Sequence, residues 1–291
     1  MELMNSVTVI IPTFNRREKL NKAIDSVLNQ TYKISKIIIT DDGSTDDTEK
    51  YVKENYPTFL YIKNPHYGSP AIPINKALEF VKTDYVAFLD SDDLWKKNKI
   101  EKQINFTTKE NYSITTCLPI IRNQNGKEEY VKFLKNEINF FDLLHLNLVP
   151  STSSILVKTQ ILKKIQGFPN FINLEPRVND WVTWSTVTVN EKIGIFVDEE
   201  LFQYNKDNLD SLSVQSNKTN EEERKDHLFW LEKKLNSIKG VNIKINIFFL
   251  LVKMIKINRK YVKSNLVLFN IIRLLLKPLK SYKVNKVSIY E

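Results

Sequence analysis

Residues 85–93 of the chain, YVAFLDSDD, lead from a short apolar segment directly into a cluster of aspartates. A continuous apolar run of this length is typical of a strand that is covered on both faces. Similar runs occur at residues 6–12 (SVTVIIP) and 36–40 (KIIIT), and a shorter one at Leu60 to Lys63. Segments with helical periodicity lie between these strands, at residues 17–30, 45–55 and 74–82. Strands that alternate with helices predict an α/β fold with a largely parallel sheet.

Three polar clusters follow predicted strands, at Thr13 to Arg16, Asp41 to Ser44 and Asp90 to Asp93. In parallel sheets, ligands bind beyond the carboxyl ends of the strands, so we expect the clusters to converge on one crevice. The carboxylates of Asp90 to Asp93 suit Mg²⁺ or Mn²⁺, which prefer hard oxygen ligands. The alternative is a solvated acidic loop in which Asp93 caps the next helix. Asp41 to Ser44 fits either a tight turn or a carboxylate that accepts hydrogen bonds from a nucleobase or ribose.

The composition excludes several classes of protein. The chain has 291 residues, of which 42% are hydrophobic and 26% charged, so it can bury a substantial core and is not a disordered tail protein. Its one cysteine, Cys117, cannot form an internal disulfide, and with only three histidines the chain cannot build a zinc site around it. We therefore expect the protein to be located in a reducing compartment. The N-terminal residues lack the pattern of a signal peptide, so we expect a cytoplasmic location.

The basic charge is concentrated at the C-terminus. Residues 240–291 contain eleven Lys and Arg residues and one acidic residue, whereas the rest of the chain is about neutral. The longest unbroken apolar run there, Ile247 to Val252, has six residues, and a membrane span needs about twenty. Lysines share one helical face and apolar residues another, which predicts a helix that lies on anionic lipid. The alternative is that the apolar face of this helix packs on the rest of the chain or on a second subunit. No nucleic-acid-binding module is recognisable, so no nucleic-acid partner is expected.

Four regions are expected along the chain. Residues 1–110 form one half of a single domain, and residues 111–213 form its other half. Residues 214–240 form a helical bridge, and residues 241–291 a basic amphipathic region on the inner face of the cell membrane. In the second half, strands are predicted at 114–121 and 153–157 and a helix from Asp180 to Val189.

Six segments resemble the family 2 glycosyltransferases of the GT-A fold, in the order and at the spacing of that family. They are SVTVIIPTFNR, IDSVLNQTY, IIITDDGSTDDT, NKALEFVKTDYVAFLDSDDLW, VPSTSSILVKTQILKKIQGF and NDWVTW, within residues 6–213. The resemblance implies that residues 1–110 are a Rossmann-like nucleotide-sugar-binding half with a mixed, mostly parallel sheet, and that residues 111–213 are the acceptor-binding half of the same GT-A domain.

The resemblance also implies roles for individual residues. Asp42 would contact the base, Asp90 would face the ribose or sugar, and Asp92, or alternatively Asp93, would bind the metal. Asp180, in Asn179-Asp180-Trp181, resembles the catalytic base of the family, although it could also cap the helix that follows. The residues that would line the nucleotide-sugar pocket beside Asp42 and Asp90 are Pro12, Thr13, Phe14, Asn15, Gly68, Asn75 and Ser91.

Two of the departures from the family pattern lie next to candidate site residues. Asn179 stands where an acidic residue often precedes the base, and Ile74 stands where an arginine often precedes the asparagine that matches Asn75. The first departure is expected to alter acceptor contacts more than the chemistry.

The resemblance implies a hexosyltransferase that depends on Mn²⁺ or Mg²⁺ and inverts the anomeric configuration, because one base activates an acceptor hydroxyl for in-line displacement. The donor would be a nucleotide sugar, most often UDP-linked. The acceptor would be a saccharide, lipid-linked in bacterial surface polysaccharide synthesis such as that of O-antigen or capsule. Two alternatives are a nucleotidyltransferase on a related fold and an inactive, membrane-associated nucleotide-binding protein.

Overall fold

A computed structural model of the chain describes residues 5–123, 126–133, 135–170, 176–205, 219–238 and 287–288. Its strands are β1 (Val7–Thr13), β2 (Lys36–Asp41), β3 (Leu60–Lys63), β4 (Tyr85–Phe88), β5 (Leu94–Trp95), β6 (Ile114–Arg122), β7 (Glu128–Tyr130), β8 (Glu137–Ile138), β9 (Leu156–Lys158), β10 (Ile193–Asn205) and β11 (Val287–Ser288). Its helices are α1 (Arg17–Leu28), α2 (Thr48–Asn55), α3 (Ala71–Leu78), α4 (Lys99–Lys109), α5 (Phe140–Leu143), α6 (Thr159–Lys164), α7 (Pro176–Val187) and α8 (Asn220–Ser237), with a 3₁₀ turn at Thr152–Ser154. The predicted α/β class is confirmed.

The first four strands are parallel and lie in the order β3-β2-β1-β4. The chain builds outward from β1 to β3 and then crosses to β4, on the other side of β1. This reversal leaves a crevice at the carboxyl ends of β1 and β4, where open α/β sheets bind ligands. Beyond β4 the sheet becomes mixed, because β9 runs antiparallel to both β4 and β6, while β10 runs parallel to β6.

Both faces of the parallel strands are covered, as their continuous apolar sequences predict. In β1, Val9 and Ile11 face a cluster that includes Leu20 and Ile24 of α1, whereas Ile10 faces a second cluster that includes Ile74 of α3. All six side chains are 0–2% exposed. Burying each stabilises the fold by about 1.5–3 kcal/mol. This packing fixes the strand ends that carry the polar clusters.

Some predicted elements need correction. The helix after Asp93 does not start there, because β5 comes first and pairs with Phe202 and Gln203 of β10. α4 begins at Lys99, so Asp93 is not its N-cap. The expected strand at 153–157 is a 3₁₀ turn followed by β9, and α3 begins at Ala71 rather than residue 74.

The expected helical bridge is present as α8. It begins with a capping box in which Thr219 and Glu222 exchange hydrogen bonds. Leu231 and Leu235 of α8 pack on Val178 and Val182 of α7, so α8 belongs to the body of the fold. Within the described residues, no helix combines the length and apolarity needed to cross a membrane. Of residues 241–291, the structure describes only β11, which pairs with β7. The amphipathic helix expected in this region lies outside the described residues.

Candidate active site

A cavity of about 1300 Å³ opens at the carboxyl ends of β1, β2 and β4 and extends to α7 and α8. It brings together most of the residues that the sequence singled out. These are Pro12, Thr13, Phe14, Asn15, Asp42, Gly68, Asp90, Ser91, Asp92 and Asp180. The three polar clusters and the candidate base therefore face one space.

Asn15 shapes the turn that follows β1. Its backbone has a φ of 50°, in the left-handed region that asparagine tolerates better than most residues. Its amide N–H donates to Ser44 Oγ at 2.8 Å, and its side-chain Oδ1 accepts from the N–H of Thr45 at 2.8 Å. Asn15 thus joins the loops after β1 and β2 and fixes the position of Phe14 on the cavity wall.

Asp42 anchors the loop that carries Gly68. Its two carboxylate oxygens accept hydrogen bonds from the backbone N–H groups of Tyr67 and Gly68, at 2.9 and 3.0 Å. Burial raises the pKa of Asp42, while these bonds and the nearby His66 ring oppose the rise. Gly43 beside it has a φ of 85°, and a Cβ there would lie 2.8 Å from the His66 backbone N, so the turn requires glycine.

An aromatic pair stands next to Asp42. The rings of Phe14 and His66 stack with centroids 4.1 Å apart and planes inclined by 16°. His66 Nδ1 lies 3.0 Å from Asp42 Oδ2. A flat apolar surface beside a hydrogen-bonding carboxylate can hold a planar heterocycle.

Asp90 lies at the centre of an acidic cluster at the end of β4. Its backbone N–H donates to Ser153 Oγ at 2.9 Å, and its Oδ2 accepts from the Ser151 hydroxyl at 3.2 Å. Burial, with the charges of Asp92 and Asp180 adding to it, raises the pKa of Asp90 to about 7. The charge of the candidate base, Asp180, therefore acts on the carboxylate at the end of β4.

Asp92 points into the cavity and pairs with Arg16, whose Nη1 lies 3.0 Å from Asp92 Oδ2. Asp93 differs, because it is 1% exposed and does not line the cavity. Its carboxylate accepts hydrogen bonds from the Ser151 hydroxyl and the Asn205 N–H, at 3.2 and 3.3 Å. Of the two residues considered as metal ligands, only Asp92 therefore reaches the open space.

The donor set fits a divalent cation that substrate phosphates help to hold. In the part of the chain that the structure describes, no group of three or more His, Cys, Asp or Glu side chains is arranged to hold a metal. Asp90 and Asp92 nevertheless both line the cavity, and the charge of Asp92 helps to raise the pKa of Asp90. Mg²⁺ and Mn²⁺ are commonly bound by one or two carboxylates together with phosphates and water.

Asp180 lies inside helix α7, four residues after its first residue, so it is not the N-cap that the sequence left open. Its Oδ2 lies 3.5 Å from Asn147 Nδ2. The next residue, Trp181, is held firmly, because its Nε1 donates to the Leu143 carbonyl at 2.6 Å and its ring stacks on His227 at 4.1 Å. Asp180 thus occupies a fixed position in the lining of the cavity.

A family model described as "Glycosyl transferase family 2" matches residues 8–165, more than half of the chain. The chain belongs to glycosyl transferase family 2. The match spans the ends of β1, β2 and β4 and therefore includes the carboxylates from Asp42 to Asp93.

Curated relatives of this family 2 member are glycosyltransferases. It is 42% identical over 104 residues to the UDP-Glc:alpha-D-GlcNAc-diphosphoundecaprenol beta-1,3-glucosyltransferase WfaP of Escherichia coli, covering 35% of this chain and 41% of that protein. It is 41% identical over 113 residues to the poly(ribitol-phosphate) beta-N-acetylglucosaminyltransferase TarP of Staphylococcus aureus, covering 37% and 35%. The chain thus matches less than half the length of either relative.

Solved structures give the same fold. The S. aureus TarS 1-349 complex with UDP-GlcNAc matches 80% of this chain and 67% of its own, with a TM-score of 0.61 and 18% identity. The mannosyltransferase PcManGT from Pyrobaculum calidifontis, in complex with GDP-Man and Mn²⁺, matches 68% and 56%, with a TM-score of 0.51 and 18% identity. The GT-A fold expected from the sequence is confirmed.

One expected nucleotide-binding residue of this family 2 member lies elsewhere. Asn75 does not line the cavity. Its side chain accepts from the Phe168 N–H at 2.8 Å and donates to the Phe168 carbonyl at 2.9 Å. Gly167, with a φ of 65°, allows this close approach, since a Cβ there would lie 2.3 Å from Asn75 Oδ1. Asn75 therefore fastens α3 to the loop after α6.

Several cavity residues were not identified from the sequence. His66 forms part of the wall, although none of the six segments contains it. Asn179 uses its amide to donate to Ser69 Oγ at 2.7 Å, which joins α7 to the donor side. Asn147 and Ser151 lie in or next to the matched VPSTSS segment, which offered a signal. No signal pointed to the residues that α8 contributes, Glu221, Glu223 and Arg224.

Proposed function

We propose that this family 2 glycosyltransferase moves a sugar from a UDP-linked donor to a saccharide acceptor, with inversion at the anomeric carbon and with Mn²⁺ or Mg²⁺ as cofactor. The observation that carries the proposal is the shared cavity, which Asp42, Asp92 and Asp180 all line. A base-binding carboxylate, a metal-binding carboxylate and a general base in one cavity suit transfer from a nucleotide sugar.

The donor side would hold the nucleoside. Phe14 and His66 offer a stacking surface, and Asp42, fixed by two backbone N–H groups, keeps lone pairs to accept from a base N–H. Pro12, Thr13 and Gly68 close the surrounding wall. The donors in the names of relatives, such as UDP-Glc for WfaP, support uracil as the base.

Asp92 and Asp90 would hold the cation at the end of β4. When bound, the cation stabilises the negative charge that develops on the leaving diphosphate. Asp90 and Ser91 orient the sugar side of the donor, since both face the cavity between Asp42 and Asp180. Asp93 acts through packing, because its hydrogen bonds to Ser151 and Asn205 fix the loop that presents Asp92.

Asp180 would take the proton from the acceptor hydroxyl as that oxygen attacks the anomeric carbon. A general base must lie within hydrogen-bond reach of the proton that it takes, and its position on a rigid helix meets this need. Trp181, held by Leu143 and His227, fixes the helix at this point. One base on the face opposite the leaving group gives inversion.

The acceptor would enter between α7 and α8. WfaP is named for a diphosphoundecaprenol-linked acceptor, which supports a lipid-linked saccharide in bacterial surface polysaccharide synthesis. The basic region 241–291 would then hold the enzyme on anionic lipid at the inner face of the cell membrane. If this holds, a chain without residues 241–291 should no longer sediment with anionic vesicles, whereas unchanged sedimentation would contradict the membrane role.

Calorimetry with UDP tests the central claim. The chain is titrated with UDP in Mn²⁺ and in EDTA, with GDP and dTDP as comparators. Metal-dependent binding selective for UDP supports the proposal and justifies a panel of UDP-sugars. Tighter binding of another nucleotide would contradict the UDP assignment, and no binding of any nucleotide would contradict the transferase proposal in favour of an inactive protein.

A further inference from the structure

The ion pair between Arg16 and Asp92 occupies the place where the proposed function puts the cation. Arg16 Nη1 lies 3.0 Å from Asp92 Oδ2, and the two side chains are only 19% and 12% exposed. Both residues line the cavity. A pair that is this close and this shielded is stronger than an exposed surface pair.

Arg16 holds its place because of the turn between β1 and α1. It is the residue just before α1, and its carbonyl accepts a hydrogen bond from the Leu20 N–H at 2.8 Å. Asn15, immediately before it, is fixed by the loop after β2. The Arg16 backbone is therefore rigid, and its long side chain is the part that can change partner.

The charges around Asp92 show what this pair does. The carboxylates of Asp90, Asp92 and Asp180 all line the cavity, and the guanidinium of Arg16, 3.0 Å from Asp92 Oδ2, offsets part of their mutual repulsion. A divalent cation on Asp92 would stand next to this guanidinium and be repelled by it. A diphosphate in the same cavity gives the guanidinium a new partner with matching geometry.

We propose that Arg16 is a positioning residue that makes cation binding conditional on the nucleotide: it neutralises Asp92 in the empty site and transfers to the diphosphate when the donor arrives. The proposal rests on the proposed function, because it takes Asp92 as the metal-binding residue. Its consequence is a strong positive coupling, in which nucleotide diphosphate and cation each tighten the binding of the other by the same factor.

The test measures Mn²⁺ affinity directly, by calorimetry and by the electron paramagnetic resonance signal of free Mn²⁺, in the full chain with and without UDP. The variants are Arg16→Ala and Arg16→Gln, the second of which keeps most of the side-chain volume should the first fail to fold. Arg17→Ala is the matched control. Arg17 is the adjacent arginine, pairs with Asp47 at 3.3 Å and does not line the cavity.

Without UDP, both Arg16 variants should bind Mn²⁺ about tenfold more tightly than the wild-type chain, because Asp92 is released. The factor by which UDP tightens Mn²⁺ binding should fall by about the same amount. Arg17→Ala should match the wild type in both measurements. Gain of affinity for a cation on removal of an arginine is not what a merely structural defect would produce.

The inference is overturned if the Arg16 variants bind Mn²⁺ alone no better than the wild type, or if Arg17→Ala gains as much. Uridine, which lacks phosphates, should bind all variants equally, and a loss of uridine affinity at Arg16 would place the effect in the nucleoside pocket instead. Failure of the proposed function looks different, since the wild-type chain would then show no Mn²⁺-dependent UDP binding at all.

Discussion

His227 is a buried histidine whose protonation should control the stability of this fold below neutral pH. Its side chain is fully buried, stacks on Trp181 at 4.1 Å, and its Nε2 lies 2.9 Å from Ser185 Oγ. Burial, together with the positive charge of Arg224, lowers the pKa of His227 to about 3. The folded state therefore keeps the ring neutral where an unfolded chain would protonate it.

The direction and size of this effect on the free energy of unfolding follow from the difference between the pKa of His227 in the folded and in the unfolded chain. Above the unfolded pKa of about 6.5, both states hold the ring neutral and His227 does not affect the pH dependence. As pH falls from about 6.5 towards 3, the unfolded state binds the extra proton, so stability is lost. At pH 5 the loss is about 2 kcal/mol, which corresponds to a fall in Tm of roughly 4–8 °C in a domain of 150–250 residues.

Thermal unfolding at pH 7.5 and pH 5 in wild type, His227→Phe and Ser185→Ala tests this. Phenylalanine keeps a ring on Trp181 but cannot titrate, so its fall in stability between the two pH values should be about 2 kcal/mol smaller than that of the wild type. Ser185→Ala loses the hydrogen bond and keeps the titrating ring, so it should be less stable at both pH values with the wild-type pH dependence. Asp90 and Asp93 contribute equally to the pH dependence of stability in all three proteins, so their contributions cancel in the comparison. Equal pH dependence in wild type and His227→Phe would refute the reasoning.

Three further outcomes are expected. Asp180→Asn should lower kcat by about 10²–10⁴-fold and leave UDP affinity unchanged in calorimetry, because only the proton acceptor is lost; wild-type turnover would remove Asp180 as the base. Asp92→Asn should lower the UDP affinity measured in Mn²⁺ to near the value measured in EDTA, and a fully retained metal dependence would contradict the assignment of Asp92 as the metal ligand. Asn75→Ala should destabilise the chain to denaturant by about 1–3 kcal/mol, because the Phe168 N–H and carbonyl lose their partner, with UDP affinity unchanged. Weaker UDP binding at unchanged stability would return Asn75 to the nucleotide site.

The donor half could be predicted from the sequence in detail. β1, β2, β3 and β4 begin and end within one residue of the predicted limits, because doubly covered strands have continuous apolar sequences that polar residues end abruptly. The convergence of Asp42 and Asp90 then follows from the geometry of a parallel sheet, in which strands that run side by side end at one edge. Local pattern and topology are sufficient for this part.

Other features depend on contacts between distant parts of the chain, which local patterns do not encode. Asn75 and Phe168 are 93 residues apart, and nothing near Asn75 indicates that its amide is used there. β5 has two residues and exists because β10 pairs with it. The ion pair of Arg16 with Asp92 joins the ends of β1 and β4, so it follows only once the strand order is known.

The position of Asp180 also depends on α8, a contact between distant parts of the chain that local sequence patterns do not encode. This dependence has a functional consequence. Asp180 belongs to α7, and the neighbouring Trp181 is clamped between the Leu143 carbonyl and the ring of His227, which α8 supplies. The apolar contacts of Leu231 with α7 hold α8 in place. An opening of this contact that exposes His227 lets the ring take up a proton, so falling pH favours that opening and weakens the helix pair that positions Asp180. The donor side is coupled to this pair, because Trp181 and Trp184 of α7 share a core cluster with Ile10 of β1 and Phe88 of β4. Acid should therefore impair acceptor activation and nucleotide binding together.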